Sequence, residues 1–252
     1  MENLWIKNSN MTDKNSFTIQ LAEKKIKITP LYDKIKEYCK DYLVEDLDSV
    51  DFFVQVRDED INDEKNSIVE YSDAYLETLA VYRKIAEWMP MQQTLLVHGS
   101  VVAVDGKAYL FAAKSGTGKS THTRLWREYF GERAVMVNDD KPLIQVTKEG
   151  IIAWGTPWDG KHRLSSNIGV PLSAICILKR GLKNTIREIT PYEAYPMLMQ
   201  QCYRPKDVLA LEKTLTVIDE IKERVAFYEL FCNTDMEAAK VAYQGMKIKG
   251  VK

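Results

Sequence analysis

The stretch AKSGTGKST, residues 113–121, predicts a loop that binds phosphate, and it indicates the fold around that loop. Gly116 and Gly118 allow consecutive backbone N–H groups to turn inward with no side chain in the way. A helix that begins directly after them would add unpaired amides and a dipole that favour an anion. The pattern is therefore interpreted as a P-loop.

The residues of this loop have separate predicted roles. Lys119 would reach the β- and γ-phosphates of ATP as a point charge, and the Ser120 hydroxyl would be a ligand of Mg²⁺. Further nucleotide contacts are predicted for Ser115, Gly116, Thr117, Gly118 and Thr121. Ala113 stands where the full G-x-x-x-x-G-K-[ST] pattern has its first glycine, so a glycine-rich turn before an ordinary helix is the competing interpretation.

The flanking sequence supplies the context that a P-loop requires. An apolar strand is predicted over 109–112 and a helix over 121–130. A second apolar strand, 134–137, ends in the run NDDK. Adjacent carboxylates at this place, Asp139 and Asp140, could hold Mg²⁺ with one group and take a proton with the other. A turn or a helix cap is the alternative for this pair.

The dipeptide Asp105-Gly106 predicts a tight hairpin turn between strands at 95–104 and 107–112, because both central positions tolerate positive φ. The strand that enters the loop would then pair antiparallel with its predecessor. In ordinary P-loop proteins that strand lies in a parallel sheet instead.

Composition narrows the class of protein. The chain of 252 residues has 35 basic and 36 acidic side chains, so its charge balance does not indicate binding to nucleic acid or to a membrane surface. Its four cysteines include no C-x-x-C pair, which argues against a zinc site and a dense disulfide framework. With no bilayer-length apolar run and a polar start unlike a secretory signal, we expect a cytoplasmic protein.

Two portions are predicted, with a boundary near residue 91. Residues 1–90 would form an α+β portion packed on the core, and 91–252 a nucleotide-binding catalytic domain. In the first portion, a helix over 72–88 carries a stripe interpreted as core, and the acidic run 57–66 is interpreted as a solvated loop. The stripe consists of Tyr75, Leu79, Tyr82, Ala86 and Met89.

Three predictions concern the C-terminal half. The turn-rich stretch 155–163 is expected to be an irregular loop whose Lys161 and Arg163 face phosphates or an acceptor, or whose charges are incidental. The apolar run 174–178 is expected to be a central strand paired with 185–189. A helix over 207–224 would pack through Val208, Leu211, Leu215, Ile218 and Ile221.

With these residues in view, 95–244 resembles the catalytic domain of HPr kinase/phosphorylase and, more distantly, the nucleotide-binding part of phosphoenolpyruvate carboxykinase. The matching pieces are LLVHGSVV, AKSGTGKST, VNDDK and VAFYELFCNTDMEAA. Through its TPW loop and the segment NIGVPLSAICILKRG, the chain closely resembles the divergent branch of HPr-kinase-related proteins. It implies an α/β (α+β) fold with a carboxykinase-like P-loop core and mixed, largely antiparallel sheets, plus the small N-terminal α+β portion.

The resemblance implies an ATP-dependent kinase that transfers the γ-phosphoryl group, with Mg²⁺, to a hydroxyl. Carried over by position, Lys119 would bind phosphate, Asp139 would be the base, and Asp140 would lie with Ser120 beside the metal. His98 would lie near the phosphates, or would be a histidine satisfied at a strand end. The family's additional metal-binding glutamate has no counterpart here. We therefore expect a serine-bearing peptide or a small-molecule hydroxyl as acceptor, and allow for a homo-oligomer.

A nucleotide-binding regulatory or switch protein without phosphotransfer is the alternative. In that interpretation the loop at Trp158 would be a partner-binding surface. A decarboxylation-linked transfer is disfavoured, because its substrate-binding basic residues cannot be identified in the chain.

Overall fold

The computed structural model describes residues 15–45, 49–65 and 68–247. Within these ranges the strands are β1 (Phe17–Leu21), β2 (Lys24–Thr29), β3 (Phe52–Gln55), β4 (Thr94–Leu96), β5 (Ser100–Val104), β6 (Lys107–Ala112), β7 (Ala134–Asn138), β8 (Leu143–Val146), β9 (Ile151–Trp154), β10 (Gly169–Arg180), β11 (Thr185–Ile189) and β12 (Ala226–Cys232). The helices are α1 (Lys34–Tyr38), α2 (Asp58–Glu64), α3 (Asp73–Trp88), α4 (Lys119–Phe130), α5 (Pro191–Gln201), α6 (Val208–Arg224) and α7 (Glu237–Lys247). Short 3-10 segments cover Lys40–Tyr42, Met89–Gln92 and Gly131–Arg133.

A small sheet and three helices make up the N-terminal portion. Strand β2 pairs antiparallel with β1 and parallel with β3. Their apolar faces pack on α3 in a core that also takes in Leu96, Leu143 and Trp158 from the later part of the chain. The predicted domain division at residue 91 stays a prediction, since these three side chains lie beyond it.

The prediction that the acidic run 57–66 is a solvated loop is wrong in part, because Asp58–Glu64 form α2. Ile61 is buried in the N-terminal core and gives this short helix an apolar anchor. At its start, the Asp60 carboxylate accepts the backbone N–H of Arg57 at 2.8 Å, which satisfies an otherwise orphaned donor. A single apolar residue among charges was too weak a signal for a helix.

The main sheet has the order β4-β8-β9-β10-β6-β5-β7, with β12 beside β10 and β11 beside β12. Strand β10 is parallel to both β6 and β12, while the other pairings are antiparallel. The chain is therefore a mixed α/β protein with a mixed sheet, as expected. Helices α5 and α6 cover one face, and α4 and α7 cover the other, each over its own apolar cluster.

The hairpin at Asp105-Gly106 is confirmed, since these residues have φ of 54° and 74° and join β5 to β6. The strand expected over 95–104 is divided: β4 pairs with β8, whereas β5 pairs with β6 and β7. His98 lies in the break between them. Among the described helices, none is long and apolar enough to span a bilayer.

Two predictions about the C-terminal half are corrected. Strand β11 pairs with β12 and not with β10, because β12 is inserted between them. Helix α6 packs through only part of the predicted stripe, since Ile218 and Ile221 are buried whereas Val208 is 75% and Leu215 37% exposed. The positions buried in α6 are Ala210, Thr214, Val217, Ile218 and Ile221.

Candidate functional site

The glycine-rich loop, residues 113–118, connects β6 to α4. Gly116 and Gly118 have φ of 74° and 120°, conformations that side-chain-bearing residues rarely adopt. Helix α4 starts at Lys119 with no side-chain cap on its first amides. These amides and the positive end of the helix dipole are therefore available to an anion.

Lys119 is a buried cation at the start of this helix, with an exposed fraction of only 9%. Its ammonium donates one long hydrogen bond of 3.3 Å to the carbonyl of Ala113. No carboxylate of the described ranges lies within 4.0 Å of it. Burial lowers the pKa of Lys119, and Asp140 and Asp139 oppose that shift only from a distance. The charge is thus incompletely compensated.

Asn138, the last residue of β7, fixes the turn that carries the two carboxylates. Its Oδ1 accepts the backbone N–H of Asp140 at 2.9 Å and of Lys141 at 2.7 Å. Its Nδ2 donates to the carbonyl of Thr156 at 3.0 Å, which ties the turn to the loop after β9. Asn138 was not predicted to have a role, although an asparagine before two turn residues is a known signal for such a turn.

Asp139 points toward β5 and α4 and is 7% exposed. Its Oδ1 accepts the Ser100 hydroxyl at 2.6 Å and lies 3.5 Å from the Thr123 hydroxyl. The two hydroxyls are themselves 3.0 Å apart. Asp139 is thereby held beside the helix that starts at Lys119. Ser100 and Thr123 were missed, because no motif marks a small hydroxyl residue on a strand or helix.

Asp140 points the other way and is partly exposed. Its Oδ1 lies 3.4 Å from Nε2 of His98 and 3.6 Å from the ammonium of Lys141. Burial lowers the pKa of His98 to about 4, and the positive charges of Lys141 and Lys119 act in the same direction. The imidazole is therefore neutral at pH 7, so it can exchange hydrogen bonds here without adding positive charge.

Beyond Asp140 lies a cavity of about 380 Å³, called the aromatic cleft below. Its walls are Tyr38, Tyr75, Leu79, Tyr82, Trp158 and Gly160, and its charged residues are Asp140, Lys141, Lys161 and Arg163. The two predicted loop cations thus lie in one place with Asp140. The two cations differ in their contacts, because Arg163 is held by protein groups whereas Lys161 is exposed.

Arg163 holds the 155–163 loop against α1. Its guanidinium donates to the carbonyl of Pro157 at 3.0 Å, pairs with Asp159 at 3.1 Å and lies 4.0 Å from the ring centre of Tyr38. Trp158 is 5% exposed and donates to the carbonyl of Thr78 at 3.0 Å. The Trp158 ring therefore belongs to the N-terminal core, and the loop at Trp158 as a partner-binding surface stays a prediction.

A second cavity, of about 400 Å³, adjoins the glycine-rich loop. Gly116, Thr117, Gly118 and Thr121 line one side of it, and Arg180, Asn233 and Thr234 line another. Arg180 also donates to the carbonyl of Gly116 at 2.7 Å and so fixes the loop to the end of β10. Arg180 was not predicted from the sequence. The cavity is within the size range of small-molecule sites.

The comparisons with known proteins give one family. The family model for the SynChlorMet cassette protein ScmC matches residues 59–237, which is more than half of the chain. No curated protein matches the chain. Among solved structures, an HPr(Ser) kinase/phosphatase from Coxiella burnetii is similar at 12% identity and a TM-score of 0.29, over 51% of this chain and 92% of that one. That likeness is too slight to bear on fold or activity. The chain belongs to the ScmC family of SynChlorMet cassette proteins.

Proposed function

We propose that this protein is a kinase that transfers the γ-phosphoryl group of ATP to a hydroxyl. The observation that carries the proposal is Lys119, a buried ammonium with no ion-pair partner among the described residues, placed at an uncapped helix start. A buried cation without a partner is costly, so such a site is best explained by an anionic ligand. A triphosphate on the glycine-rich loop supplies that anion.

The residues present fit a magnesium ion that arrives with the nucleotide. In the part of the chain that the structure describes, no group of three or more His, Cys, Asp or Glu side chains could hold a metal alone. Mg²⁺ is commonly bound through one or two carboxylates together with substrate phosphates. In this proposal, Ser120 and Asp140 would hold it. The ion would supply neutralisation of the charge on the transferring group.

Phosphoryl transfer requires mainly that the protein position the reactants and stabilise negative charge on the transferring group. The acceptor oxygen forms a bond to the γ-phosphorus while the bond to the β,γ-bridging oxygen breaks, and ADP leaves with that electron pair. The hydroxyl proton passes to a carboxylate of the Asp139–Asp140 pair, and Asp139 is the predicted base. Lys119 and the first amides of α4 would stabilise the charge on the phosphoryl oxygens.

The proposal is tested with γ-labelled ATP, Mg²⁺ and two acceptor pools, a degenerate library of seryl peptides and a small-metabolite extract. We expect label in an acid-stable phosphate ester and one ADP for each ester formed. Lys119→Met should abolish the label, whereas Lys107→Met, at an exposed hairpin position, should not. Equal labelling by the wild type and Lys119→Met would refute the proposal.

A nucleotide-binding switch without transfer is the second candidate. One observation favours it: the Asp139 carboxylate already accepts a short bond from Ser100 inside the protein, as a structural carboxylate would. In the same experiment this candidate predicts saturable ATP binding with no labelled ester. Release of free phosphate alone would equally favour it over the kinase.

A further inference from the structure

Only part of the apolar stripe on helix α3 is buried in the core. Ala86 and Met89, at its C-terminal end, are buried as predicted. Tyr75, Leu79 and Tyr82 are only half-buried and line the aromatic cleft. Because these three positions are spaced by four and three residues, they lie on one helix face. The stripe expected to be core is therefore also the wall of a cavity.

The opposite wall comes from the loop after β9. The ring centre of Trp158 lies 5.6 Å from that of Tyr82, in a tilted arrangement. Asp140 borders the same space, and the loop backbone comes so close to its side chain that a Cβ at Gly160 would lie 3.3 Å from the Asp140 Cβ. Aromatic and aliphatic walls thus meet a carboxylate of the candidate catalytic pair.

The charges of the cleft favour an anion. Three cations, Lys141, Lys161 and Arg163, line it against the single carboxylate of Asp140. Arg163 is paired with Asp159, and Lys141 with Asp140. Lys161 is exposed, and no carboxylate of the described ranges is within ion-pair distance of it. One positive charge is therefore left for a ligand.

We propose that the aromatic cleft binds the phosphate acceptor, and that the acceptor combines a hydroxyl with an apolar or aromatic group and a negative charge. This inference rests on the proposed kinase function. The rings of Tyr75, Tyr82 and Trp158 pack on the apolar group, and Lys161 attracts the negative charge. The hydroxyl then lies toward Asp140 and the glycine-rich loop.

Three probes separate the two halves of this proposal. N-acetyl-seryl-phenylalanine with a free carboxylate has all three features, its C-terminal amide lacks the charge, and N-acetyl-seryl-alanine lacks the ring. Affinities are measured by NMR titration of the full chain in the presence of Mg²⁺ and a non-hydrolysable ATP analogue. We expect the first probe to bind about tenfold more tightly than either of the others. Equal affinities, or no binding of the first probe, would overturn the proposal.

Variants locate the binding to the cleft. Leu79→Asp should erase the preference for the ring, and Tyr75→Ser, at a half-buried position, gives the same test if Leu79→Asp fails to fold. Tyr192→Ser is the matched control, because Tyr192 is largely exposed on α5. Ring preference that survives in both cleft variants would place the binding elsewhere and overturn the inference.

Lys161→Glu should erase the preference for the carboxylate over the amide while the affinity for the ATP analogue stays unchanged. A tenfold loss of nucleotide affinity would assign Lys161 to the phosphates and overturn the charge half of the proposal. Failure of the kinase function is distinguishable from failure of the cleft. Selective probe binding without label transfer refutes the kinase, and label transfer without probe selectivity refutes the cleft.

Discussion

Replacing Lys119 with methionine tests whether this lysine binds a ligand or stabilises the fold. Methionine keeps most of the side-chain volume, so no large cavity is created. A charge-assisted hydrogen bond is worth about 1.5–3 kcal/mol, which corresponds to roughly a 10–150-fold loss of affinity for MgATP. Phosphoryl transfer should fall further, by about 100–1,000-fold, because charge on the phosphoryl oxygens grows in the transition state.

The free energy of unfolding should not fall in Lys119→Met, in contrast to ATP affinity and phosphoryl transfer. Burial lowers the pKa of Lys119 in the folded protein from its ordinary value of 10.5, so the unfolded chain binds more protons just below that pH. The wild type therefore gains stability as pH rises toward 10.5, and the variant does not. We expect Lys119→Met to be as stable as the wild type or more stable at pH 7, with the difference shrinking toward high pH.

Calorimetric titration with MgATP and thermal melts across pH measure both effects, with Lys107→Met as the control. The reasoning would be refuted by a variant that binds ATP normally. It would also be refuted by one that loses more than about 1 kcal/mol of stability at pH 7, since that loss would make Lys119 a structural cation.

Three further predictions concern the loop, the carboxylates and a buried histidine. Asp139→Asn should leave ATP binding largely in place but slow transfer by about 100-fold or more in single-turnover assays, and an unchanged rate would remove Asp139 as the base. Gly118→Ala, at φ of 120°, should cost about 1–3 kcal/mol and weaken ATP binding; an unchanged melting temperature and ATP affinity would contradict the strain argument. Burial lowers the pKa of His122 to about 3, so the stability it contributes is complete above pH 6.5 and lost as pH falls. His122→Gln should therefore flatten the fall in unfolding free energy between about pH 6.5 and 5, where one histidine accounts for up to about 1.4 kcal/mol per pH unit; an unchanged slope would count against it.

The elements that the sequence predicted well are those whose signals are local. The turn at Asp105-Gly106 depends only on two residues that accept positive φ, and the start of α4 depends on the glycines just before it. Helix α3 has a long apolar period and a proline soon after its end. Each of these is set by interactions within a few residues, so one sequence suffices to find it.

What the sequence did not predict depends on contacts between distant residues. The insertion of β12 between β10 and β11 is a choice among similar apolar strands, and no local pattern distinguishes them. Ser100 and Thr123 are 23 residues apart and meet only because α4 packs against β5. The aromatic cleft likewise requires α3 and the 155–163 loop to face each other. Periodicity alone assigned its tyrosines to the core.

The two neighbouring carboxylates illustrate how a short turn can serve two sides of a site. The Asn138 Oδ1 accepts the backbone N–H groups of Asp140 and Lys141, so the chain bends there and the two carboxylates meet different partners. Asp139 meets Ser100 beside α4, while Asp140 meets His98 beside the cleft. A glycine at 160, with φ of 73°, lets the loop backbone come close to Asp140. If the proposed transfer occurs, the nucleotide on the glycine-rich loop lies on the Asp139 side and the acceptor in the cleft lies on the Asp140 side, so the acceptor hydroxyl has to reach past Asp140 for Asp139 to take its proton. One turn, and not two separate elements, sets the spacing of the two acids.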